Sequence, residues 1–186
     1  MAMLNTERLL LRHWQHSDLD HLHRLCSNVE VMRYFPNVQD RTASKQMLQR
    51  LQNAFMWHPD YGVWALESKQ TGEFVGMLGL QNCNLPFDFM PKIEILWRLM
   101  PQFWSQGLAL EAALCVQDYA LNHLRLPALT AYTSYPNLPS QKLMQRMGMQ
   151  ATVSFHHPML PLQHRLNRHI AYVSPEKVCS QNKSGL

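Results

Sequence analysis

At 186 residues, with 46% hydrophobic and 16% charged positions, the chain has material for one sizeable core and lies near the usual size of a single domain. Its eleven prolines and seven glycines are scattered without an internal repeat period, which excludes solenoid, collagen-like and low-complexity classes. A formal charge of +4 without a dense Lys/Arg block welcomes an anionic ligand but lacks the footprint of a nucleic-acid binder. The start, MAMLNTERLLLRHW, carries no basic stretch leading into a long apolar run, and no apolar segment approaches the roughly 18 residues that span a bilayer. Cys26, Cys83, Cys115 and Cys179 are isolated, with no C-x-x-C spacing. Reduced thiols in a cytoplasmic protein are expected, and neither a zinc site nor a disulfide framework.

Thr6 to Trp14, TERLLLRHW, mixes apolar and basic positions and is read as a first strand. Ser17 stands before DLDHLHRLCS with Asp20 three residues on, an N-cap pattern opening a helix that carries Leu19, Leu22, Leu25 and Cys26. Val29 to Tyr34 reads as a short helical piece ended by Pro36. Thr42 to Trp57 is a longer helix, with Met47, Leu48, Leu51, Ala54 and Phe55 on one stripe and Pro59 as its stop. Val63 to Ser68 and Phe74 to Leu80 form a hairpin turning at Gly72. Lys92 to Met100 is a third antiparallel strand, with Ile93, Ile95, Trp97 and Leu99 on one face and Glu94, Leu96 and Arg98 on the other. In the next helix Ala109, Ala112, Ala113, Val116 and Ala120 make a small-residue face suited to close packing on a sheet. Pro127 to Tyr135 is β-like, Asn137 caps a helix with Pro139 in its first turn and Gly148 at its end, and Gln150 to Phe155 and His169 to Val173 supply two last strands. Residues 1–174 are expected to form one domain and 175–186 a flexible tail.

The stretch FWSQGLALEAA, Phe103 to Ala113, joins the third strand of the hairpin group to the alanine-rich helix. A glycine at a helix start lets a ligand approach the backbone closely. The unpaired N–H groups there, at the positive end of the helix dipole, attract an anion, and a phosphate suits this stretch.

The element order, with TERLLLRHW at the start, EILWRLMPQFWSQGLALEAA in the middle and TSYPNLPSQKLMQRMGMQ later, resembles the GNAT superfamily of acetyl-CoA-dependent N-acetyltransferases. Within it the resemblance is to the ribosomal-protein alanine N-acetyltransferase-like branch, and it covers Thr6 to Val173. It implies an α/β GNAT acyl-CoA N-acyltransferase fold: a mixed, mostly antiparallel sheet, splayed where the cofactor inserts, with helices on both faces. Trp104, Ser105, Gln106, Gly107, Leu108 and Ala109 match the pyrophosphate turn, and the resemblance implies that backbone N–H groups from Gln106 through Leu110 to Glu111 cradle the coenzyme A pyrophosphate. It further implies that strand backbone through Arg98, Leu99 and Met100 pairs with the pantetheine arm as a peptide adds to a sheet edge. Asn137 and Ser140 match the family's Asn-x-x-Ser, which lies beside the coenzyme arm and sulfur, while Asn137 also fits plain helix capping. Leu96 and Trp97 replace the glycine and tyrosine of the family's E-I-G-Y strand, a departure that bears on the substrate groove more than on coenzyme binding.

The implied reaction is direct attack of a primary amine on the thioester of acetyl-CoA, the acetyl-donor co-substrate, with no metal. Glu94 matches the acidic position of that strand and is the candidate base; its alternative is a structural pairing with Arg98 on that face or a neighbouring strand. Ser140 is the candidate acid toward the departing thiolate. The acceptor is a protein N-terminal amine or a small amine, and with only 13 Asp and Glu in the chain an acidic polyamine site is disfavoured. A monomer or homodimer without membrane or nucleic-acid partners is expected. Two other classes remain: an inactive acyl-CoA-binding sensor or protein-interaction module, and a basic RNA-associated module, which lacks a clustered basic patch and an aromatic RNA motif. His13, His16, His21, His23, His156, His157, His164 and His169 lack clear metal-ligand spacing. Phe35, Trp57 and Phe87 serve either the core or an acceptor pocket beside the Leu85 to Pro91 loop.

Overall fold

The computed structural model describes residues 3–83 and 90–175. Phe87, most of the Leu85 to Pro91 loop, Cys179 and the expected tail beyond Pro175 lie outside the described residues. Among these residues one eight-stranded sheet has the order β1-β2-β3-β4-β5-β6-β8-β7. Its strands are β1 (Leu4–Asn5), β2 (Leu9–Arg12), β3 (Val63–Ser68), β4 (Phe74–Asn82), β5 (Ile93–Leu99), β6 (Thr130–Ser134), β7 (Gln150–His156) and β8 (Arg168–Val173). The helices are α1 (Leu19–Ser27), α2 (Arg41–Trp57), α3 (Leu108–Asp118) and α4 (Leu138–Arg146).

The opening strand read from TERLLLRHW is present but shorter, as β2, and Leu4–Asn5 before it folds back on it in a tight hairpin, so the chain breaks between them. Thr6 causes the break: its N–H donates to the Leu9 carbonyl at 2.9 Å and its hydroxyl accepts the Leu9 N–H at 2.9 Å, which reverses the chain within three residues. Ser17 is not the cap of α1. A 3-10 turn, His16–Asp18, precedes that helix, and the Asp18 carboxylate takes the Gln15 N–H at 2.7 Å. The cap of α2 is Asp40, whose Oδ1 accepts the Ala43 N–H at 2.7 Å, so the helix starts just before the expected Thr42. Helix α3 runs on into a π-turn, Tyr119–His123, in which the Leu124 N–H reaches back to the Tyr119 carbonyl at 3.0 Å.

Alternation along the strands divides the core into two layers. One face puts Trp64, Leu66, Leu78, Leu80, Ile95 and Leu99 against Leu108, Ala112, Ala113 and Val116 of α3 and Met144 of α4. The other puts Val63, Ala65 and Met77 against Leu22, Leu25, Leu48 and Leu51 of α1 and α2. Ala112 and Ala113 are fully buried, as the close helix-to-sheet approach requires.

Every neighbouring pair in the sheet is antiparallel except β5 and β6, which run parallel with Glu94 opposite Thr130 as their register. Beyond that point the two strands part. The sheet is therefore two antiparallel halves joined at one residue pair, with a gap between them.

Candidate active site

A cleft of about 1150 Å³ occupies the gap. Its walls are β5, the turn before α3, Tyr132, Thr133 and Ser134 of β6, the first turn of α4, the segment around Phe35, and the residues from His157 to His169.

The turn before α3 has the geometry of an anion cradle. Gly107 is the N-cap residue at φ +78°, a left-handed conformation that glycine adopts without penalty, and Ser105 also has a positive φ of 59°. The Glu111 N–H already donates to the Gly107 carbonyl at 3.0 Å. This removes Glu111 from the expected cradle, because its amide closes the first turn of the helix. The amides of Gly107, Leu108, Ala109 and Leu110 are those a helix start leaves without an intrahelical acceptor. The Glu111 side chain clamps the turn from behind. It accepts the Thr6 hydroxyl at 2.5 Å, the Arg8 N–H at 2.8 Å and Arg8 Nε at 2.6 Å, while Arg8 Nη1 donates to the Gln106 carbonyl at 3.0 Å. Burial opposes its charge, but these donors hold the Glu111 carboxyl below the usual range. Trp104 ties the turn to the strand through Nε1, which donates to the Leu99 carbonyl at 2.8 Å.

The β4–β5 ladder decides which backbone groups of β5 face the cleft. The Met100 N–H donates to the Val75 carbonyl at 2.9 Å, and at the far end the Cys83 N–H donates to the Lys92 carbonyl at 2.7 Å. With the unbroken register between them, the two-residue alternation of an antiparallel ladder turns the backbone of Met100, Arg98, Leu96 and Glu94 toward β4. The expected pairing through Arg98 and Met100 is thus corrected. Trp97 and Leu99 present their backbone to the gap, and the Leu99 carbonyl already holds Trp104.

Glu94 is 7% exposed and lines the cleft. It does not pair with Arg98; its partner is Gln81, directly opposite on β4, whose Nε2 donates to Oε2 at 3.2 Å. Burial pushes the Glu94 carboxyl up to about 7, with the Gln81 bond a smaller opposing influence. Tyr132 of β6 lies near enough that the Glu94 charge, after burial, adds to the upward shift of its phenol. Its ring packs between Phe155, His157 and His169.

Asn137 is spent on the fold. Its Oδ1 accepts the Ser140 N–H at 3.3 Å, capping α4, and its Nδ2 donates to Thr133 Oγ1 at 2.8 Å. Ser140, in the first turn of α4, lines the cleft. Phe35 also lines the cleft, whereas Trp57, at the end of α2, is 80% exposed and forms no part of its wall. Sequence reasoning did not single out Arg8, Gln81, Tyr132 or the Trp97 backbone. Gln81 was within reach only by counting the β4–β5 register across the long connection from residue 83 to 92.

Residues 8–150 match the acetyltransferase (GNAT) domain family. Over 150 residues, 80% of this chain and 82% of the relative, the sequence is 27% identical to the uncharacterized N-acetyltransferase YoaA of Bacillus subtilis strain 168. The fold is similar to an acetyltransferase from Agrobacterium tumefaciens strain C58, with a TM-score of 0.76 at 23% identity over 94% of this chain and 95% of that one. It is also similar to a ribosomal L7/L12 alpha-N-protein acetyltransferase solved in complex with coenzyme A, with a TM-score of 0.74 at 14% identity over 92% and 97% of the two chains.

Proposed function

The chain belongs to the GNAT acetyltransferase domain family, and from that premise we propose that it moves the acetyl group of acetyl-CoA to a primary amine by direct attack, with a peptide α-amine as acceptor, as in the ribosomal-protein N-acetyltransferase branch. The observation that carries this reading is Glu94: a buried carboxyl raised to about 7, on the strand that leads into the phosphate turn. Peptide α-amines titrate near 8. A base matched this closely accepts the amine's proton, directly or through one water, as the N–C bond forms.

Acetyl-CoA brings the activated thioester. Toward it the chain offers the amides of Gly107, Leu108, Ala109 and Leu110 for the pyrophosphate, with Trp104, Ser105 and Gln106 shaping the turn. The gap-facing backbone of Trp97 and Leu99 suits the amide groups of the pantetheine arm. Ser140 is the proposed proton donor to the departing thiolate, and Tyr132, held protonated by burial and by Glu94, is the second hydroxyl of the cleft.

Calorimetric titration with acetyl-CoA tests the premise. Micromolar binding is expected for the wild type, with loss of about 100-fold or more in Gly107→Trp, whose bulk and unfavourable φ both oppose the bound phosphate. Thiol release with N-terminal peptides then tests transfer. A folded wild-type protein that does not bind acetyl-CoA would sink this reading, and binding without turnover on any amine would leave an acyl-CoA sensor.

A further inference from the structure

We propose that Arg98 and Phe35 form an anion subsite that receives an acidic side chain at the second or third residue of the peptide acceptor; the inference rests on the acyl-transfer reading above. Arg98 lies four residues beyond Glu94 on the same face of β5, which at the rise of a strand separates their Cα atoms by about 13 Å. An extended peptide covers at most about 3.6 Å per residue. With its α-amine at Glu94, a peptide has its third Cα about 7 Å along that span, and a Glu side chain and the long Arg98 side chain reaching toward each other close the rest, so its second or third side chain meets the guanidinium, while the carboxylate of a free α-amino acid falls short.

The state of Arg98 points to a missing anion. Its side chain lines the cleft and is only partly exposed, yet no carboxylate pairs with it among the described residues. Nη1 donates to the Cys26 thiol sulfur at 3.1 Å, a weak acceptor, and Nε is buried without a partner. A charge withdrawn from water with no counter-ion is strongly disfavoured. The Phe35 ring, 4.2 Å from the guanidinium carbon, supports the plane of the group. An incoming carboxylate fits that planar fork in two parallel hydrogen bonds. Arg33 adds a second cation to this end of the cleft, stacked on Trp104 at 5.2 Å. Among the described residues the carboxylates that line the cleft are Glu30 and Glu94, so there an acidic peptide meets little repulsion beyond the base itself.

The test uses C-terminally amidated peptides identical except for Glu, Gln or Lys at the second and third positions, together with free alanine as the other source of a carboxylate. The order Glu above Gln above Lys is expected for the wild type, with a Glu:Gln ratio in kcat/KM of about tenfold or more, carried by KM. In Arg98→Met the ratio falls to about one because the Glu peptide weakens. Phe35→Leu, a change at a residue 37% exposed, lowers it in a protein that keeps the guanidinium. Calorimetric binding of the same peptides to coenzyme A-saturated protein reports the ratio without turnover. A wild-type ratio near one, preference for the Lys peptide or for free alanine, or a ratio unchanged in both variants would overturn the subsite. Selective binding of the Glu peptide without transfer to any acceptor would overturn the acetyl-transfer reading and leave the subsite standing.

Discussion

Glu94→Gln is expected to lower kcat/KM for a peptide α-amine by about 10²- to 10⁴-fold, the usual contribution of a positioned base, while acetyl-CoA binding stays within about a factor of two. In the wild type kcat/KM should climb with pH through an apparent pKa of about 7 and through the amine's own ionisation near 8, and in the variant the limb at about 7 should vanish, leaving the amine's. A variant that keeps the limb at about 7 would assign it to another group. Stability moves in the opposite direction. The Glu94 carboxyl is raised in the folded protein, so its favourable contribution is complete below the unfolded value of 4.5 and is lost as pH rises through about 7. Removing that charge should raise the unfolding free energy at pH 8 by up to the order of 3 kcal/mol, with little change at pH 4. A thermal midpoint that rises in the variant at pH 8 and not at pH 4 would establish that the proposed base is held at the expense of the fold.

Asp18→Ala should cost on the order of 3 kcal/mol, the lower end of the range for stripping one partner from a buried ion pair, because Arg12 keeps Glu67. Asp18 is 2% exposed and takes Arg12 Nη1 and Nη2 at 2.8 Å each together with the Gln15 N–H at 2.7 Å. Arg12 in turn reaches Glu67 on β3 at 2.7 Å and the His13 carbonyl at 3.1 Å. The pair thus joins β2, β3 and the entry to α1. Burial acts against the Asp18 charge, but Arg12 and the Gln15 N–H together hold its carboxyl below the usual range. Its contribution is therefore present at neutral pH and fades only as pH falls below ordinary carboxylate values. For a chain of this size the loss corresponds to a midpoint lowered by roughly 10 °C in calorimetry. Asp18→Asn, which keeps an acceptor for Gln15, should lose less. A midpoint within about 1 °C of wild type for Asp18→Ala would show the network to be dispensable.

Much of this arrangement is legible in the residues because local rules agree with the global one. Asn137 caps α4, the left-handed Gly148 follows its end, and the alanine face of α3 lies against the sheet. What escaped depends on side-chain and ladder partners that no local pattern names, some of them distant along the chain. Asp18 outcompetes Ser17 at the entry to α1 because Arg12 anchors its carboxylate. Glu111 reads as part of a phosphate loop, yet its carboxylate belongs to Thr6 and Arg8, more than a hundred residues away. Glu94 beside Arg98 suggests an ion pair by proximity in sequence, but their side chains find Gln81 and Cys26 instead. Backbone polarity along β5 could be settled only from the ladder with β4.

The parting of β5 from β6 beyond Glu94 and Thr130 places two raw edges in the middle of an eight-stranded sheet. Unpaired edges invite any extended chain that can supply the missing hydrogen bonds, and proteins ordinarily shield them at the periphery. Here the vulnerable rim is interior, with the Trp97 and Leu99 amides along it. In the free protein those two amides should exchange with deuterium at the rates of a peripheral strand, despite their central position, and slow when coenzyme A is added. Equal protection with and without it would mean that the rim is already sealed. The half-sheets on either side would then be locked together before any ligand arrives.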